Sequence, residues 1–338
     1  MSGVLTRFRR CSKKIRNYDD NHAILHACLT PYGDPIELTK FIAEGAYGKV
    51  YLARYTTKDG KKIKIAVKIM KNDYEKPELN EIIDNVLYEV EYSYDMASQE
   101  LGPTIYDAFY VVDRKRQQLT TYILMEAFDY SVSDSYKKDM SVFIYSDIHI
   151  QMIDILHSQI FENHMYCTDV KPGNYVVKKV KSEYKVRAID FGSDWCSLDR
   201  FPQEYLNKEI FYLVVLIQLC IVVILELTRS GLNQIITKPF FEDPIYKKYT
   251  KNDTKTAELI DVMGKVFGIY EYRTHKHYIL PAFKYLDVPA NKNDNFILAN
   301  QVMTFMINYE HFISSSPKSS PPRRSPRRSP RRSLDSMV

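Results

Sequence analysis

The spacing of apolar positions divides this chain into a strand-rich first third and a helical remainder. Across 36–54, and again across 61–70, apolar residues alternate with polar ones, so that Ile63, Ile65 and Val67 share a face. That period of two predicts half-buried strands. Over 77–100 the period changes: Ile82, Val86, Val90 and Ala97 recur at helical intervals and predict a helix. Two more strands are predicted at 106–112 and 119–126. Ser146-Asp147 reads as the N-cap of a helix carrying Ile148, Ile153, Ile155, Leu156 and Phe161. A strand–turn–strand follows at 175–180 and 184–189, then helices at 210–225, 256–267 and 296–312. Strands first, one helix inserted, then mainly helices predicts an α+β architecture of two lobes, 35–126 and 129–313, behind an extension at 1–34.

The run 210–225 is apolar except for Tyr212, Gln218 and Cys220, with Lys208, Glu209, Glu226 and Arg229 as flanks. A spanning helix needs about 20 apolar residues. This shorter run reads as a helix crossing a protein interior, and no membrane span is expected. The first twenty residues carry Arg7, Arg9, Arg10, Lys13, Lys14 and Arg16 without an apolar stretch, so no signal peptide is expected.

Composition narrows the class. With 338 residues, 45% hydrophobic and 26% charged, the chain can fill a sizeable core and is neither disordered nor a membrane bundle. Its five cysteines are odd in number and scattered, with no C-x-x-C pair. The expectation is neither a zinc site nor a disulfide framework, and a reducing compartment, cytoplasmic or nuclear. The net charge of +5 is concentrated at one end. Residues 314–338 hold seven Lys/Arg against Asp335, a local +6, which leaves the body at −1. This segment contains Ser325-Pro-Arg-Arg-Ser329-Pro-Arg-Arg-Ser333 and almost nothing to bury, so it is expected to be a disordered basic tail. Such a charge run is an electrostatic ligand for phosphates, including nucleic acid or another acidic partner.

Four short pieces carry candidate chemistry. Gly45-Ala-Tyr-Gly48-Lys-Val50 sits between two strands, and residues without Cβ let backbone N–H groups close over phosphates. Lys68, in Ala66-Val-Lys68, ends an alternating strand and offers a cation to those phosphates. Its charge needs a carboxylate from the 77–100 helix. Glu89 and Glu91 compete; two residues apart they lie about 200° apart around a helix, so only one faces inward. Asp169-Val-Lys171-Pro-Gly-Asn174 supplies an acceptor for a hydroxyl proton, a cation and an amide oxygen. Asp190-Phe191-Gly192 adds a carboxylate for a metal ion. Any one of these alone is as well explained by a turn or a solvated lysine. Their joint order is harder to explain that way.

Taken together the pieces resemble the eukaryotic-type serine/threonine protein kinase signature over roughly 35–313. The resemblance implies a two-lobed kinase-like fold, ATP and Mg²⁺ as cofactors, and protein substrates. It implies that Gly45, Gly48, Val50 and Lys68 hold the nucleotide, with Glu89 favoured as the lysine's partner from its spacing to the Leu101-Gly-Pro turn. Backbone groups near Glu126 and Phe128 would meet adenine. Asp169 would be the catalytic base with Lys171 beside it, and Asn174 and Asp190 would hold the metal. A lysine two residues after the aspartate resembles serine/threonine rather than tyrosine kinases.

The chain also departs from that pattern. Ala43 replaces a third glycine, and Cys167-Thr168 replaces the usual His-Arg before Asp169. Without that arginine no activating phosphate is expected between Ser193 and Tyr205, and Cys167 is expected simply to pack there. No Ala-Pro-Glu equivalent follows Gly192, so the peptide-docking segment is shortened. Such trimming resembles kinases of large DNA viruses, for which host cell or virion would be the setting. A scaffold of the same fold, or a small-molecule kinase, are the competing readings.

Overall fold

Alternation along the first third becomes an antiparallel sheet. The computed structural model describes residues 8–10, 24–25, 36–45, 48–56, 60–75, 78–192, 196–198, 207–232, 234–273 and 295–315. Its strands are β1 (Phe8–Arg10), β2 (Ile24–Leu25), β3 (Ile36–Gly45), β4 (Gly48–Thr56), β5 (Lys62–Asp73), β6 (Ile105–Asp113) and β7 (Gln118–Glu126), in the order β1-β6-β7-β5-β4-β3-β2. β3 through β7 are the predicted strands. The N-terminal extension adds the two edges: β1 runs parallel to β6, and β2 antiparallel to β3.

The predicted helix is α1 (Leu79–Ser98). Its buried positions Val86, Val90 and Met96 turn one stripe inward, and Val86 and Val90 pack with Met70, Ala108, Leu119 and Ile123 from the sheet. Glu89 lies on that buried stripe. The opposite face of the sheet buries Leu38, Ala53, Ile65, Val67 and Leu124, with Phe109 and Tyr122 stacked at 4.9 Å.

β7 leads into the second lobe through β8 (Tyr130–Ser131), the short α2 (Val132–Ser135), and α3 (Val142–His157), which ends in a π turn at Ser158–Glu162. Ser141 caps α3 by accepting from the Ile144 N–H, so the helix starts a turn earlier than the Ser146-Asp147 cap predicted. There follow β9 (Met165–Cys167), a 3-10 turn at Pro172–Asn174, β10 (Tyr175–Val180), β11 (Glu183–Ala188) and β12 (Cys196–Leu198). β10 pairs with both β11 and β8, and β12 pairs with β9.

The apolar run becomes α4 (Lys208–Arg229), capped by Asn207, whose side chain accepts from the Ile210 N–H at 2.9 Å. Sixteen of its residues are buried, from Ile210 through Leu227, so it is buried all round rather than along one stripe. It is long and apolar enough to cross a membrane, yet it sits inside the protein as the core helix. Around it lie α5 (Lys238–Glu242), α6 (Pro244–Thr250), α7 (Asp253–Arg273) and α8 (Asn295–Ser315). Met263, Val302, Met303 and Met306 join the same core. α8 ends at Ser315; the Ser/Pro/Arg tail from 316 lies outside the described residues. The small sheet with one helix, followed by a helical lobe, is the expected two-lobed α+β arrangement of kinase-like folds.

Candidate active site

Register places the nucleotide-binding candidates side by side. The hairpin of β3 and β4 closes with Gly45 opposite Gly48, its tip at 46–47 lying outside the described residues. In β4, Val50 pairs with Ala43 on one side and Lys68 on the other. Directly opposed residues on adjacent strands send their side chains to the same face, so Val50 and Lys68 border the same space. Gly48 is required by its neighbour rather than by a turn: a Cβ there would stand 2.5 Å from the Ile69 carbonyl oxygen.

Lys68 is the hub. Its ammonium contacts Glu89 Oε1 at 2.5 Å and Asp190 Oδ1 at 2.7 Å, joining strand, helix and the Asp190-Phe191-Gly192 turn. Of the two competing carboxylates, Glu89 is the one that meets Lys68. Burial alone would lower the Lys68 pKa, but Glu89 and then Asp190 overrule it and hold it above its ordinary value. Burial would likewise raise the Asp190 carboxyl; the charges of Lys68 and Lys171 outweigh it and keep that carboxyl below the usual range. Asp190 adopts a left-handed backbone, φ 69°, a conformation that costs a non-glycine residue on the order of 1–3 kcal/mol and gathers at functional sites. Phe191 is buried in the second lobe's core and anchors the turn.

The second cluster surrounds Asp169. Lys171 Nζ donates to Asp169 Oδ2 at 2.7 Å. The Asn174 amide donates to the Asp169 carbonyl at 2.8 Å and to Oδ2 at 3.1 Å. The 3-10 turn, closed by the Asn174 N–H on the Lys171 carbonyl, brings these groups together. The Ile189 N–H donates to the Asn174 carbonyl at 2.8 Å, which ties this cluster to the residue before Asp190. Lys68, Glu89, Asp169, Lys171, Asn174 and Asp190 thus form one linked site at the junction of the lobes.

At that junction Glu126 is more committed than expected. Its N–H donates to the Thr104 carbonyl at 2.8 Å, which leaves its carbonyl rather than its N–H as a candidate for adenine. Its carboxylate takes Lys178 Nζ at 2.7 Å from β10 of the other lobe, with Lys178 also 5.8 Å from the Phe128 ring centre. Nothing in the sequence singles out Lys178. Gln218 does carry a signal, as the lone amide in the apolar run, and its Nε2 donates to the Thr168 carbonyl at 3.2 Å.

The cysteine expectation fails here. Cys167 and Cys196 are joined by a disulfide. They face each other in the β9–β12 register with Cα atoms 4.1 Å apart, a pairing set by tertiary contact rather than by sequence spacing. Cys167 therefore does more than pack.

Among the described residues no cluster of three or more His, Cys, Asp or Glu could hold a metal ion by itself. An ionised Asp190 and the Asn174 amide oxygen, left over once its nitrogen serves Asp169, fit a hard cation that takes one or two protein oxygens and completes its shell with phosphate and water.

A family model described as protein tyrosine and serine/threonine kinase matches residues 36–128, which span β3 to β7, α1 and the crossing into the second lobe. No curated protein matches the chain. The matched segment contains Lys68 and Glu89, and the linked site continues from them into the second lobe. That match to the first lobe, on a chain with the two-lobed fold, supports a protein-kinase-type protein and phosphoryl transfer in general.

Proposed function

We propose that the protein transfers the terminal phosphate of Mg-ATP to serine or threonine hydroxyls of proteins. The observation that carries this reading is the single network from Glu89 through Lys68 to Asp190, coupled by the Asn174 carbonyl to Asp169 and Lys171. Phosphoryl transfer asks the protein for positioning and charge stabilisation more than for covalent chemistry.

Lys68, fixed by Glu89, binds the inner phosphates. Glycines 45 and 48 and Val50 roof the nucleotide, and backbone groups of Glu126 and Phe128 receive adenine. Asp190 and Asn174 hold the Mg²⁺, which when bound neutralises phosphate charge. Asp169 accepts the hydroxyl proton at Oδ2, oriented there by Lys171 and Asn174. Lys171 balances the charge that develops on the transferred group. A lysine at this position supports serine/threonine over tyrosine. Residues 314–338 serve as a basic anchor for acidic partners or nucleic acid, which phosphates on Ser325, Ser329 and Ser333 would weaken by about −1.5 to −2 charges each.

The test is transfer from radiolabelled ATP to mixed proteins and small hydroxyl compounds, by the wild type, Asp169→Asn and Lys68→Met. Label on phosphoserine and phosphothreonine that both variants lose is the expected result. Label confined to small molecules, or equal in all three proteins, defeats the proposal. Retention of the chain on RNA, DNA and acidic proteins, lost on deleting 316–338, checks the anchor.

A further inference from the structure

We propose that Cys167 and Cys196 form a thiol–disulfide exchange site through which a low-molecular-weight disulfide switches the enzyme on. The proposal rests on the phosphoryl-transfer reading above. Cys167 ends β9, two residues before Asp169. Cys196 opens β12, and its N–H donates to the Gly192 carbonyl at 3.0 Å. The bond between them therefore ties the strand that delivers Asp169 to the turn that delivers Asp190.

β9 is held on its own side, with Met165, Tyr166 and Cys167 in the second lobe's core and Gln218 donating to the Thr168 carbonyl, so what the bond adds is the coupling of β12 to it. β9 and β12 share three register pairs: Cys167 with Cys196, Tyr166 with Ser197, and Met165 with Leu198. A two-stranded ribbon that short is not stable in isolation. Thr168, beside the site, has no charge with which to grip a phosphate on this segment. The covalent link supplies that coupling instead, and it coexists with an assembled Lys68–Asp190 pair.

Exchange runs in two displacements. One cysteine thiolate attacks the sulfur–sulfur bond of the small disulfide RSSR, giving a mixed disulfide and one RS⁻. The second thiolate attacks the protein sulfur of that mixed disulfide, closes the Cys167–Cys196 bond and expels the second RS⁻. Two protein thiols are oxidised, one RSSR is reduced to two RSH, and the released thiolates take up the two protons. The residues are 8% and 5% exposed, so each step waits for the ribbon to open. In a reducing compartment the dithiol is the resting form and oxidant is the signal.

The full chain is equilibrated in glutathione buffers running from reduced to oxidised. Aliquots are alkylated and mapped by mass spectrometry without reductant, assayed for phosphoryl transfer, and followed by amide hydrogen exchange over 165–170. A linked 167–196 peptide should accumulate with oxidation while exchange over 165–170 slows. The turnover number should rise at least about tenfold in step, since displacing a reacting group by about 1 Å costs roughly 10²-fold. KM for ATP should change less than turnover, because Lys68 keeps its Glu89 partner in the first lobe even where the Asp190 turn loosens. Cys196→Ser and Cys196→Ala should keep the reduced rate in every buffer, and Cys220→Ala, which removes a buried free thiol, should switch like the wild type. Absence of the linked peptide, or its formation with turnover and exchange unchanged, overturns the site. If no buffer yields transfer, the kinase reading fails and the exchange data alone decide: slowing on oxidation upholds the linkage, and no change rejects it.

Discussion

The Gln218 side-chain amide donates to the Thr168 carbonyl oxygen across 3.2 Å, joining the middle of the core helix to the residue beside Asp169. A carbonyl only accepts, so the amide nitrogen must be the end that faces it. An amide in an otherwise buried apolar helix costs stability unless it is used, and here it fixes the backbone that presents Asp169. Gln218→Leu keeps the volume and removes that hydrogen bond, a loss of about 0.5–1.5 kcal/mol in stability. We expect turnover to fall about tenfold with KM for ATP nearly unchanged, the pattern of a lost transition-state geometry. Gln218→Glu, which sets lone pairs against lone pairs, should be worse. Steady-state kinetics beside thermal melts check this; lower stability with normal turnover would reduce Gln218 to a core residue.

Among the described residues Lys68 has two anionic partners, and they are not equivalent. Glu89 comes from the buried face of α1, whereas the Asp190 carboxylate is 38% exposed and therefore more easily screened. Glu89→Gln removes a charged hydrogen bond of about 1.5–3 kcal/mol. At about 2 kcal/mol that is roughly thirtyfold in kcat/KM for ATP. Glu91→Gln, from the other side of the helix, should leave kcat/KM within about twofold, since surface changes usually stay within about 0.5 kcal/mol. ATP titrations of the two variants decide it; equal losses would mean that Lys68 is not held by Glu89 in solution.

This pair also marks how far the sequence could be read. Alternation and helical spacing located β3 to β7 and α1 because each buries only one face, which leaves a periodic trace. Geometry around α1 showed that only one of Glu89 and Glu91 could face inward; the resemblance favoured Glu89, and the packed helix sets it against Lys68. The start of α3 was misread because Phe143, in its first turn, points outward and is 86% exposed, which blurs the apolar stripe. α5 and α6 are five and seven residues long, too short to show a period. Within the site, Asp169, Lys171, Asn174 and Asp190 stood out because their spacing is local. Lys178 against Glu126, Gln218 against Thr168 and Cys167 against Cys196 join residues 52, 50 and 29 positions apart, and no local pattern encodes them.

Gly48 illustrates a residue whose two roles can be separated by experiment. A methyl group there would press on the Ile69 carbonyl at 2.5 Å and on Met70 Cγ at 3.0 Å, and the first of these is backbone that cannot swing aside. Overpacking of this kind costs about 1–3 kcal/mol. Gly48→Ala should therefore lower the melting temperature of the nucleotide-free protein as well as weaken ATP binding. Weaker ATP binding at an unchanged melting temperature would show that the loop absorbs the methyl group, and that the glycine serves only the nucleotide.

His149 sets a pH dependence far from the catalytic groups. It is fully buried, with Nε2 2.8 Å from the Tyr136 hydroxyl and Nδ1 2.9 Å from the Ile236 carbonyl. A carbonyl cannot donate, so Nδ1 carries the proton and Nε2 accepts from Tyr136; the ring is neutral. Burial lowers its pKa from 6.5 to about 4, with the Ile236 carbonyl pulling weakly the other way. The unfolded chain therefore binds a proton that the folded one refuses between these values, and stability falls as pH drops from about 6.5 to about 4. At 1.36 kcal/mol per pH unit the loss approaches about 3 kcal/mol. Above 6.5 this residue contributes no slope. Urea denaturation at a series of pH values should show the decline in wild type and a flatter curve in His149→Gln, which cannot titrate. A wild-type curve as flat as the variant's would mean that the imidazole protonates in place, and that its burial is less complete than the packing around Tyr136 and Phe240 implies.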